Sequence, residues 1–91
     1  TVDNSNIFNI NIKNEISYEN LFAMKTLLCQ HKGSDPVIFT VDDNGVNTRI
    51  LASPIFWVNT SNDLINTLKK QFTNNVEIDV KSMDTKLEPV N

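Results

Sequence analysis

An α+β sandwich is predicted by three observations: apolar–polar alternation at 7–12 and again at 76–80, a β-branched run at 37–41 that leads into Asn44-Gly45, and two stretches, beginning near Tyr18 and Ser61, whose apolar residues recur every three or four positions. In Ile7 to Ile12 the side chains of Phe8, Ile10 and Ile12 alternate with Asn9 and Asn11, as in a strand with one buried face. Ser17 stands where a helix N-cap stands, and Glu19 follows in the first turn, where an acid complements the helix dipole. A helix is therefore expected from Tyr18, with Leu21, Met24 and Leu28 on its apolar stripe and Phe22, Lys25 and Cys29 one edge over. His31 and Lys32 in the last turn, Gly33 at a left-handed C′ position and Asp35-Pro36 beyond it supply the stop.

Val37-Ile38-Phe39-Thr40-Val41 reads as a second strand, and Asp42-Asp43-Asn44-Gly45 contains the pair suited to a type I′ hairpin turn. The chain should return from Val46 to about Leu51. Pro54 breaks any longer strand, so a bend or bulge is expected before the apolar run Ile55 to Val58. Thr60 or Ser61 caps a second helix, in which Leu64, Ile65, Leu68 and Phe72 form the stripe up to Thr73 and the turn-forming Asn74 and Asn75. Val76, Ile78 and Val80 then alternate with Glu77, Asp79 and Lys81 as a last strand. Strand, helix, strand, strand, helix, strand is the ferredoxin-like order, which would place both helices on one face of a four-stranded antiparallel sheet. Residues 1–5 read as a flexible linker, 6–81 as one domain and 82–91, which contain Pro89, as a flexible tail.

Size and charge bound the function. Ninety-one residues, 40% hydrophobic, can close one core that buries roughly 60–65% of the unfolded surface. No apolar run exceeds four residues, as in Ile55-Phe56-Trp57-Val58, where a membrane span needs roughly 20, and the N-terminus lacks a signal-peptide pattern, so a soluble cytoplasmic domain is expected. One cysteine and one histidine are too few soft ligands for zinc. Cys29 and His31, two apart on a helix, point about 200° from each other and cannot form an activated nucleophile–base pair. Asp42-Asp43-Asn44-Gly45 begins like a calcium loop, but no downstream bidentate acid follows, and two glycines in the whole chain leave no phosphate-cradling loop. No catalytic, metal-binding or cofactor-binding residue is assigned.

RNA-binding sheets of this plan carry aromatic and basic residues on their central strands, here expected to be the first and third. Phe8 or the asparagines and Arg49 alone, with a net charge of −3, count against that role. Trp57, just before a helix cap, fits either a ring packed on the core edge or a partner-facing anchor. Fourteen asparagines occupy strand exteriors, turns and caps, where a short polar side chain costs little, and form no contiguous tract.

Three stretches together carry a family resemblance. Leu21-x-x-Met24-Lys25-x-Leu27-Leu28-x-x-His31-x-Gly33-x-x-Pro36-Val37 resembles a pattern near the C-terminus of the alpha subunit of bacterial DNA polymerase III. Trp57-Val58-Asn59-Thr60-Ser61-Asn62-Asp63-Leu64-Ile65-x-x-Leu68 is similar to the next segment of that family, and Phe72 to Ile78 to its final strand. Thr60 stands where the family often has proline, and Thr73-Asn74-Asn75 replaces a glycine-containing helix end. The resemblance implies a non-catalytic interaction module of a replicative polymerase, docking it to the tau subunit of the clamp loader and to other replisome proteins. The family's metal-binding aspartates, nucleotide site and nucleic-acid-binding domain would all lie upstream. Trp57 and, in the tail, Met83, Leu87 and Val90, spaced by four and three, are the candidate partner contacts. A small-ligand regulatory domain and an autonomous nucleic-acid-binding domain are the alternatives.

Overall fold

The computed structural model describes residues 6–13, 16–74 and 76–82. Its principal elements are strand β1 (Asn6–Ile12), helix α1 (Tyr18–Gln30), strands β2 (Lys32–Asp35), β3 (Val37–Asp43) and β4 (Val46–Leu51), a 3-10 turn at Pro54–Phe56, helix α2 (Asn62–Gln71) and strand β5 (Val76–Ser82). The last strand thus reaches Ser82, which the sequence assigns to the tail. Linker 1–5 and tail 83–91 lie outside the described residues.

Both helices start as their caps dictate. Ser17 Oγ accepts the Asn20 backbone N–H at 3.1 Å, and Ser61, not Thr60, does the same for Leu64 at 3.1 Å. Met24 and Leu28 from α1 and Leu64 and Leu68 from α2 join Phe8, Ile10, Ile12, Val37, Phe39 and Val76 in one buried cluster, so both helices cover the same sheet face. The period-2 alternation of the strands decides which side chains enter it.

The sheet departs from the expected antiparallel plan. Its order is β4-β3-β1-β5, with β1 and β3 adjacent and parallel, Ile10 beside Phe39, and antiparallel strands on both flanks. In the ferredoxin-like arrangement β4 would lie between β1 and β3; here the hairpin folds outward and leaves β4 at the edge. The residue rows explain the choice. The core-facing row of β3 is Val37, Phe39 and Val41, whereas that of β4, read through its partners, is Val46, Thr48 and Ile50. A central β4 would bury the Thr48 hydroxyl under the helices without a strand-supplied partner, while a central β3 buries hydrocarbon. Every residue of β4 is exposed, as befits an edge.

Two local expectations are also corrected. Gly33 does not terminate α1 in the left-handed region: His31 is the C-cap, its N–H donating to the Leu28 carbonyl at 3.0 Å, and Gly33 belongs to β2. Lys32 likewise lies beyond the last turn, in β2, which forms bridges to Val58. The Gly33 N–H donates to Trp57 O at 3.0 Å, and a Cβ on Gly33 would fall 2.4–2.6 Å from the Val58–Asn59 backbone. The interruption expected at Pro54 takes the form of a 3-10 turn, with Phe56 N–H donating to Ser53 O at 2.8 Å. The hairpin turn is as expected, with Asn44 at φ 53° and Gly45 at φ 85°. No helix among the described residues is long and apolar enough to cross a membrane.

Candidate functional site

Because β4 lies at the exposed edge, its core-facing Ile50 and the core-facing Phe39 and Val41 of β3 form the floor of a groove. Leu21 and Lys25 on α1 make one wall, Phe56 of the 3-10 turn and the Ala52-Ser53 bend make the other, and Ile12, Lys13 and Ile16 close one end. The volume is about 700 Å³. Pro54 is the local cause: by turning the chain out of β4, it swings Phe56 back toward α1, where the Lys25 ammonium sits 5.4 Å from the ring centroid, within cation–π range.

The elements that border this groove carry exposed apolar side chains. Tyr18 and Phe22 are exposed on α1, Val46, Ile50 and Leu51 on β4 and Ile55 on the 3-10 turn, and these are all the exposed large hydrophobic residues among those described. Each belongs to one of the three elements that frame the groove; α2, β1 and β5 carry none. Phe22 is 73% exposed and lies one turn from Tyr18 on the same helix face. Lys13, at the groove end, pairs with Glu77 at 3.4 Å, a solvent-exposed ion pair of little energetic weight.

The opposite sheet face mixes polar residues with Ile7, Ile38 and Leu51. Asn9, on β1, accepts from the Thr40 hydroxyl at 2.9 Å and donates to Asn11 Oδ1 at 3.3 Å, so the two central strands are cross-linked by neutral amides and a hydroxyl. Ile38, Thr40, Asn9 and Asn11 occupy the outer row of these strands, and Arg49 stands on the edge strand beside Thr40. The central pair is thus the first and second long strands, and Phe8 points into the core, with no exposed surface.

Asp35 is a structural anchor. Burial by itself raises its carboxyl, but contacts with Thr60 and Asn6, whose backbone N–H groups donate to it at 3.1 and 3.3 Å, outweigh that and hold it below the ordinary carboxylate value. It thereby ties the start of α2 and the start of β1 to β2. Cys29 is exposed, its Sγ 3.9 Å from Ile55 O, and the His31 carbonyl accepts from Asn59 N–H at 2.7 Å; the structure does not bring thiol and imidazole together.

Of the sequence-assigned contacts, Trp57 is half-buried against the core, and its indole N–H donates to Ala52 O at 3.0 Å. Met83, Leu87 and Val90 lie outside the described residues. The residues that frame the groove were not singled out from sequence, although one signal was available: Tyr18 and Phe22 are aromatic at i and i+4, off the stripe that carries Leu21, Met24 and Leu28. No group of three or more potential metal ligands occurs among the described residues. No protein-family model and no curated protein sequence matches this chain.

Proposed function

We propose that this chain is an interaction module of a replicative DNA polymerase of the bacterial polymerase III type, docking the alpha subunit to the tau subunit of the clamp loader, and that the α1–β4 groove is its docking surface. One observation carries the docking role: every exposed large apolar side chain among the described residues lies on α1, β4 or the 3-10 turn, the elements that border one groove, and Ile50 and Leu51 line it. Apolar side chains exposed around a groove are how small domains hold protein partners. The assignment to the polymerase rests on the resemblance of residues 21–37 and 57–68, with Gly33 and Pro36 lying where the chain passes from α1 into β3.

The test is a pull-down with purified tau. The 91-residue chain is expected to be retained and to incorporate no nucleotides. If tau retains neither this chain nor a version extended upstream to include the preceding domain, the docking role is wrong. A small-ligand regulatory role is the second reading, favoured by the groove's size, which lies in the range of ligand pockets. A metabolite that raises the thermal midpoint by several degrees while leaving tau binding unaffected would favour it.

A further inference from the structure

β4 ends the sheet, and no described strand pairs with its outer side. An edge of this kind presents a row of unpaired backbone donors and acceptors. Which residues present them follows from the hairpin. The two-residue turn Asn44-Gly45 closes on Asp43 and Val46 as a hydrogen-bonded pair, and two-residue periodicity then directs the backbone groups of Val46, Thr48 and Ile50 inward to β3. The Ala52 N–H, in the same phase, donates to Val37 O at 2.9 Å. Asn47, Arg49 and Leu51 therefore direct their N–H and C=O groups outward.

We propose that this edge pairs with itself: two copies of the chain join β4 to β4, antiparallel, about a two-fold axis through Thr48. An axis perpendicular to the sheet keeps both helical layers on one side, so core-facing residues must meet core-facing residues, and the axis must pass through a residue of the strand. Only Thr48 and Arg49 are central enough. An axis at Arg49 sets one guanidinium directly against the other, which like charge disfavours. An axis at Thr48 sets Asn47 opposite Arg49 of the second copy, twice by symmetry. Both residues point their backbone groups outward, so each such pair exchanges both bonds.

Side chains agree with this register. On the helix-covered side Val46, 64% exposed, meets Ile50, 50% exposed, of the second copy, and the two Thr48 side chains meet at the closer, non-hydrogen-bonded spacing. On the other side Asn47 amides face the Arg49 guanidinium groups. No like charges oppose each other. The other edge of the sheet is less suited to pairing: β5 carries Glu77, Asp79 and Lys81, charges of the kind that guard edges. This inference rests on the backbone phase of β4 and stands independently of the tau docking role.

Sedimentation equilibrium of the 91-residue chain is expected to show a mass rising with concentration from 10.3 kDa to twice that value. Asn47→Asp, which places a carboxylate opposite each Arg49, is expected to tighten the dimer about two- to tenfold, and Asn47→Arg to loosen it by a similar factor. Opposite shifts from one exposed position cannot arise from unfolding. In a Cys29→Ser background, Thr48→Cys is expected to oxidise to a covalent dimer, and Arg49→Cys is not. A chain that stays monomeric up to about 1 mM, Asn47 variants that shift in the same direction, or cross-linking through position 49 in place of 48 would each overturn the proposal.

Discussion

Gly33 is held by contact rather than by backbone conformation. The nearest atoms a Cβ would meet are backbone atoms of Val58 and Asn59, at 2.4–2.6 Å, and backbone cannot rotate out of the way as a side chain can. Gly33→Ala is therefore expected to cost about 1–3 kcal/mol, read as a lowered denaturation midpoint, by prying β2 from the 57–59 segment. From sequence the same glycine reads as a helix C-cap, because a glycine just past a helix end fits that role locally; the approach of residues 25 positions away leaves no local trace. Asp35 is similar. Its acceptors bind Asn6 and Thr60 from distant parts of the chain. Because its carboxyl titrates below the unfolded value of about 3.8, its stabilisation is present above pH 4 and is lost as pH falls through the lower folded value. Urea denaturation across pH 2–7 should show a steeper loss on the acid side for the parent than for Asp35→Asn, with the variant about 1–2 kcal/mol less stable at neutral pH.

At the scale of elements, local signals were legible and their consequences are testable. Ser17 and the Asn44-Gly45 turn are where the sequence places them, since caps and two-residue turns depend on neighbours within four positions. Ser17→Ala and Ser61→Ala are each expected to cost about 1 kcal/mol, seen in thermal melts, whereas Thr60→Ala should leave the α2 cap intact. Choosing between Thr60 and Ser61 was beyond the sequence because adjacent hydroxyl residues offer the same chemistry. The 3-10 turn was legible only as an interruption: Pro54 forbids a strand, but what the freed chain does is set by packing of Phe56 against α1. Replacing Trp57 by Phe removes the indole donor to Ala52 O while keeping the ring, and is expected to cost about 1 kcal/mol.

For the whole molecule, the order of the long elements is readable from sequence, whereas the short β2 and the sheet order are not. A hairpin partner lies beside its strand whichever side it takes, so the pattern 37–51 fits either β4 inside or β4 outside. Burial decides it: the Val37-Phe39-Val41 row takes the centre and the row containing Thr48 takes the edge. The groove follows from that swap, because an outer β4 leaves Ile50, on its core-facing row, uncovered beside α1. A site created by topology in this way has no motif to find in advance. Isothermal titration of purified tau with the 91-residue chain and with Phe22→Asp tests the docking claim most directly, since Phe22 is exposed and its replacement leaves the core untouched. Saturable binding by the parent, weakened about tenfold or more in a variant of unchanged circular dichroism, is the predicted result. Absence of binding by the parent, or equal affinity in the two, would contradict it.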